Sequence, residues 1–235
     1  MEPEADPDAA WVAALSGVSE ARARSAIEEA SRDTRLFRHL DRMHRLGGRE
    51  SYIEIDAPLE LHAITRLLRP EHVVEVGVSS GVSSAYLLAA LERNRRGTLH
   101  SVDLPSTPRR SASSHRASWS IPPGWSSGWA VPPRLRPRWD LRLGDKADVI
   151  PRLARELSQV GLVVYDVPHD EADLVREFAA LDRRLSVGAV AIADHGPGGG
   201  RCAPLARWAR RRSSNAVRRE GLGLYGFRAG RRRGA

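Results

Sequence analysis

One stretch constrains the fold of this chain more than any other: His72-Val73-Val74-Glu75-Val76-Gly77-Val78-Ser79-Ser80-Gly81-Val82-Ser83. A β-branched run carries an acid. Two glycines follow, and an apolar-periodic segment opens at about Val82 with Tyr86, Leu87, Leu88 and Leu91. The pattern predicts a buried strand, a tight turn and a helix, in that order. Such a turn exposes backbone with no Cβ in the way and aims the free N–H groups of a helix start at an anion. The acid precedes the glycines, which are spaced G-x-x-x-G. A dinucleotide fingerprint reads G-x-G-x-x-G with its acid further on, so a nicotinamide-dependent oxidoreductase is disfavoured.

The pattern recurs along the chain. Gly97 to Asp103 reads as a second strand ending in an acid, 22 residues after Gly81. An acid at that position can take both ribose hydroxyls of a nucleoside; the other reading is a cap or turn aspartate. Trp139 to Asp145 is a third strand with Gly-Asp at its end, and Lys146–Leu157 a helix. Leu162 to Asp166 is a fully apolar fourth strand, followed by a helix from about Asp170 to Leu185. Ala189 to His195 is a fifth strand ending Asp-His. Leu205–Arg212 reads as helix, and Val217–Arg219 with Leu222–Phe227 as a closing hairpin. Strands alternating with helices predict an α/β fold, Rossmann-like and doubly wound, with a mainly parallel seven-stranded sheet. In such sheets ligands bind at the carboxyl ends of the strands, where Glu75, Asp103, Asp145, Asp166 and Asp194 collect.

An N-terminal tail and helical cap are expected over residues 1–57, with the main domain over 58–229 and an Arg-rich end at 230–235. Residues 1–9, rich in Pro and acid, are expected to be disordered. Two or three short helices should fill about Trp11 to Leu46, broken by Gly47-Gly48, and an amphipathic helix Pro58–Leu68 should end at Pro70. These helices could cover a cofactor or build a homodimer interface. Residues 104–138 show no period and carry Trp119, Trp125 and Trp129. A segment so long is usually functional or disordered, and the tryptophans favour a lid or partner-facing element near the site.

The net charge of +8 is uneven: residues 201–235 hold 11 Arg and one Glu, so the rest sums to −2. A basic end can mean nucleic acid. Here Lys146 is the only lysine, which points to an Arg-favouring coding bias, and no aromatic-interleaved RNA-reading motif accompanies it. Nucleic acid is therefore not the expected partner. The single Cys202 excludes an internal disulfide framework and a Cys-based zinc site. No apolar run approaches a membrane span, and the acidic start is unlike a signal peptide, so a cytoplasmic location is expected.

From about Pro58 to Phe227 the chain resembles class I S-adenosylmethionine (SAM) methyltransferases, and most of all bacterial small-molecule O-methyltransferases related to catechol and macrolide-sugar enzymes. The matching pieces are Val74-Glu75-Val76-Gly77 with Gly81 and Ser83, His100 to Pro105, Leu143-Gly144-Asp145, Tyr165-Asp166 with His169, and Ala193-Asp194. The resemblance implies that Glu75, Gly77, Ser79, Gly81 and Ser83 line the methionine end of SAM, Asp103 the ribose and Asp145 the adenine amino group. Asp166, near the cofactor, and Asp194 match carboxylates that hold a divalent cation, Mg²⁺ or Mn²⁺, in metal-dependent members. The chain departs from the pattern twice. His195 stands where a third ligand is often Asn or Asp, and His169 stands at the catalytic lysine's place. His169 and His195 are thus the catalytic candidates, and metal dependence stays open. The implied activity is methyl transfer to an oxygen of a small-molecule acceptor. Methylation of RNA or protein, or SAM binding without turnover, are the alternatives.

Overall fold

The computed structural model describes residues 6–47, 57–105, 121–122, 124–166, 171–194, 203–219 and 223–231. Its elements in chain order are helices α1 (Pro7–Ser16), α2 (Glu20–Ser31), α3 (Thr34–Gly47) and α4 (Pro58–Leu68), then β1 (His72–Val76), α5 (Val82–Asn94) and β2 (Thr98–Asp103). A short 3₁₀ helix at Pro133–Arg138 leads into β3 (Trp139–Leu143), α6 (Lys146–Glu156), β4 (Val160–Tyr165), α7 (Glu171–Asp182), β5 (Leu185–Asp194), α8 (Ala203–Arg211), β6 (Val217–Arg218) and β7 (Leu224–Arg228).

The seven strands form one sheet in the order β3-β2-β1-β4-β5-β7-β6. β1 to β5 are parallel; β7 runs antiparallel to both β5 and β6. The Rossmann-like, mainly parallel architecture expected from the alternation is therefore present, closed by the expected hairpin. Its topological switch lies at β1, which pairs β2 on one side and β4 on the other.

Period-2 alternation divides each central strand between two apolar layers. Val73, Leu99, Leu162, Val164 and Ile192 face α1 to α5, where they meet Leu15, Leu36, Ile64 and Leu88. Val74, Val76, Val163 and Ala191 face α6 to α8, where they meet Ile150, Phe178 and Trp208. The N-terminal helices thus share a core with the sheet. α5 is buried along its whole inner length from Ser83 to Leu91, as a helix apolar all round must be.

Three expectations need correction. Residues 6–9 are not disordered: Asp6 caps α1, accepting from the N–H groups of Asp8 at 3.1 Å and Ala9 at 3.0 Å, with Pro7 at the first helical position. The acid and proline that looked like a disordered tail are helix-start chemistry. α4 is not amphipathic in use, because Glu60, His62 and Thr65 are buried along with Leu61 and Ile64. Its outer face is covered by α1 and α2. Leu185 belongs to β5, not to α7; it pairs with Val160, and the ladder resumes beyond Gly188, which sits at φ +85°.

The burial of α4 has a pH consequence. Burial, and then the neighbouring Asp8 carboxyl, push the Glu60 carboxyl from 4.5 up to about 7. The folded chain therefore holds a proton that the unfolded chain releases between these values, so stability from this group is present below pH 4.5 and falls as pH rises towards 7. We predict that Glu60→Gln removes this loss. In urea unfolding the variant should match the parent near pH 4.5 and exceed it by roughly 2–3 kcal/mol at pH 8.

Candidate cofactor site

The turn after β1 is built on one buried carboxylate. Glu75 is fully buried and accepts three hydroxyl hydrogen bonds: from Ser83 Oγ at 2.5 Å, Ser84 Oγ at 2.7 Å and Ser101 Oγ at 2.6 Å. Ser83 and Ser84 open α5, and Ser101 lies directly opposite Glu75 on β2. Trp139 of β3 donates its indole N–H to Ser101 Oγ at 2.8 Å. Burial raises the Glu75 carboxyl above its ordinary range, and the three hydroxyls pull it back. Glu75 thus joins three strands and a helix start beneath the turn.

Above this base the backbone curls. Gly77 adopts φ +94° and donates its N–H to Val102 O at 2.9 Å; Ser79 is also left-handed, at φ +52°. The Ser79 N–H donates to Asp103 Oδ2 at 3.1 Å, and Leu104 N–H to Asp103 Oδ1 at 2.8 Å. Each carboxylate oxygen of Asp103 therefore keeps a lone pair for another donor. Ser79 Oγ is shielded from solvent and has no hydrogen-bond partner among the described residues. At the switch point, Asp166 N–H donates to Val76 O at 2.8 Å, which sets Asp166 beside Gly77.

The segment 124–138, expected to be irregular, is folded onto this turn. Gly128 N–H donates to Ser79 O at 2.8 Å and Ala130 N–H to Ser80 O at 2.9 Å. A Cβ on Gly81 would stand 2.7 Å from Val131 and 2.8 Å from the Gly128 Cα; one on Gly128 would stand 2.0 Å from the Trp139 ring. The open side of Gly81 is thus filled by protein backbone. Trp125 and Trp129 meet edge to face at 4.8 Å between centroids, and His44 of α3 packs on Trp129 at 5.8 Å. Trp119 lies outside the described residues.

The sequence-derived candidates divide as follows. Gly77, Ser79, Asp103 and Asp166 gather at the carboxyl ends of β1, β2 and β4. Glu75, Gly81 and Ser83 lie beneath them and bind one another or the covering segment. Asp145 is exposed and caps α6, accepting from Ala147 N–H at 2.9 Å. Asp194 ends β5 one position beyond the Tyr165–Ala193 pair, next to the end of β4; its side chain, like His169 and His195, lies outside the described residues. Among the described residues no group of three or more His, Cys, Asp or Glu side chains is placed to hold a metal.

Ser84, Ser101, Trp139 and Gly128 were not anticipated. Ser101 could have been found, since it is a polar residue in an otherwise apolar strand. Another such network lies on the opposite face, where the lone Lys146 pairs with buried Glu177 at 3.1 Å and donates to Tyr165 Oη at 2.8 Å. Burial raises the Glu177 carboxyl against the opposing pull of Lys146.

A mainly parallel sheet with a glycine turn, Asp103 and Asp166 gathered at the carboxyl ends of its strands is the arrangement at which open α/β sheets bind ligands. The family model for the methyltransferase domain matches residues 74–195, and the chain belongs to that family. Solved structures of the same fold include an O-methyltransferase from Bacillus cereus in complex with S-adenosylhomocysteine (TM-score 0.55, 14% identity, 85% of this chain and 92% of that one). Another is the O-methyltransferase TomG of Streptomyces achromogenes, involved in tomaymycin synthesis and in complex with SAM (TM-score 0.52, 15% identity, 88% and 96%). A third is a methyltransferase from Geobacter sulfurreducens (TM-score 0.55, 16% identity, 83% and 88%). No curated protein matches the sequence.

The packing of Gly128 yields a prediction. Gly128→Ala places a methyl group into the Trp139 ring at a left-handed φ of +72°. It should destabilise the fold by about 2–4 kcal/mol, the sum of the left-handed penalty and overpacking, read as a lower urea midpoint with an unchanged slope.

Proposed function

We propose that this protein is a SAM-dependent methyltransferase acting on an oxygen of a small molecule. The observation that carries the reading is Asp103, which closes β2, fixes the glycine turn through the Ser79 N–H and keeps a lone pair on each oxygen for ribose hydroxyls. Gly77, Ser79 and Asp166 would line the methionine end, with Glu75, Gly81 and Ser83 holding the turn in shape from below. Asp145, at the exposed start of α6, would reach the adenine amino group. Bound SAM supplies an electrophilic sulfonium methyl. The chain's part is to hold an acceptor in line with it, the main source of rate in such displacements, and to accept the acceptor's proton. His169 is our candidate for that base, since an imidazole can take up a proton near neutral pH. Asp166, Asp194 and His195 would be the donors for Mg²⁺ or Mn²⁺, an ion that would lower the acceptor's pKa.

A small acceptor is favoured over RNA because part of the C-terminal positive charge is used internally. Arg212 is buried and pairs with Asp182 at 2.7 Å, and Arg219 pairs with Asp8 of α1. Among the described residues no helix is long and apolar enough to cross a membrane.

Titration calorimetry with S-adenosylhomocysteine and with NAD tests the reading. The former should bind and the latter should not; NAD binding alone would overturn it. Asp103→Ala should weaken S-adenosylhomocysteine by about 10- to 150-fold, the 1.5–3 kcal/mol of charged hydrogen bonds. His169→Ala should leave that affinity unchanged and cut turnover by about 10²–10⁴. Exhaustive chelation should lower turnover, with recovery on adding Mg²⁺ or Mn²⁺; full activity after chelation removes the ion from the site.

A further inference from the structure

A cavity of about 460 Å³ lies between α3 and the segment that covers the glycine turn. Its walls are Arg35, Arg38, His39 and Arg42 of α3, facing Pro132, Pro133 and Arg134. We propose that it binds a small polyanion, a molecule carrying a di- or triphosphate group.

Three of its four guanidiniums have no acidic partner among the described residues. Arg35 and Arg42 have no hydrogen bond or ion pair among the described residues, and Arg38 donates only to Thr34 of its own helix. The nearby acids are taken: Asp33 by Arg93, Asp41 by Arg45, and Glu92 by Arg134 of the cavity wall itself. Burial, and then Arg42 and Arg134, lower the His39 pKa against its opposing bond to Ala130 O.

The arrangement also runs against local preference. Arg35, Arg38 and Arg42 repeat at helical spacing, so like charges are neighbours on one face, which destabilises a helix. Arg35 and Arg38 stand in its N-terminal half, where the helix dipole disfavours cations. The cavity is large enough for a nucleotide-sized ligand, and Pro132 and Pro133 give it a stiff wall. Guanidinium forks suit phosphate oxygens. A single carboxylate would neutralise one of the three unpaired guanidiniums, whereas a polyphosphate answers several at once. The concavity between the helix and the proline wall has the volume of a small ligand.

Titration calorimetry with inorganic tripolyphosphate on the full chain at low salt tests this. Saturable one-to-one binding is expected, at least about tenfold weaker in the Arg35→Ala/Arg42→Ala variant, with S-adenosylhomocysteine affinity and far-ultraviolet circular dichroism unchanged. That last readout separates the proposal from the methyltransferase reading, since either can fail alone. Absence of saturable binding overturns it, as does equal affinity in the variant. A single-stranded RNA that binds more tightly than tripolyphosphate and is lost in the same variant makes the cavity part of a nucleic-acid surface and overturns it too.

Discussion

The rest of the site depends on the Glu75 carboxylate. A buried carboxylate is costly unless its oxygens are well bonded, and here three serine hydroxyls bond it from two directions. Two of them come from the first turn of α5, so the helix cannot rotate or slide on β1 without stripping the acid. The third comes from β2 and carries the Trp139 indole, which ties in β3. The glycine turn spans the gap between β1 and α5, so its left-handed residues are held by what lies below. Polar networks of this kind define one geometry when fully satisfied. A cofactor loop needs such rigidity, because a turn shaped only by the ligand would spend binding energy on its own ordering.

A second clamp acts from above. Residues 128–131 reach the turn through backbone hydrogen bonds, and Ala130 is engaged on both sides: its N–H by Ser80 O and its carbonyl by His39 of α3. The N-terminal helices therefore reach the glycine turn through one intervening layer. The glycines serve this contact. Gly81 and Gly128 let two backbones approach at a distance no side chain would permit, so the spacing that reads as room for a ligand is partly room for the chain itself.

How legible this was follows from the range of each interaction. The strand, turn and helix of 72–94 could be read because β-branched runs, glycines and helical periodicity act locally, and the repeated acids fixed the binding edge. The partnership of Glu75 with Ser101 depends on strand register, which no local pattern specifies. Leu185 continued the apolar period of α7 and was assigned to it, but its pairing with Val160 is tertiary and prevailed over the period. Glu60 and His62 looked like a solvated face because nothing in α4 reveals that α1 and α2 lie over it. The fold of 124–138 was hidden because prolines and glycines erase periodicity while permitting the 3₁₀ helix and close backbone contacts.

The arginines show the same point about charge. Read as a composition, they suggest coding bias or one basic tail. In the fold they separate by partner. Arg212 crosses from the end of α8 to Asp182, and Arg219 joins the closing hairpin to Asp8, so both neutralise acids near the N- and C-terminal seams of the domain. Arg66 spans α4 to reach Glu29 on α2 at 2.6 Å. Burial or bidentate geometry makes such pairs matter more than exposed ones. Unlike these paired guanidiniums, Arg35, Arg38 and Arg42 on one face of α3 have no acidic partner among the described residues. Its arginines share one concavity, its nearest acids are taken, and its position along the helix dipole is unfavourable. A coding bias raises the number of arginines everywhere; it does not gather unpaired ones around a cavity one layer from the cofactor turn.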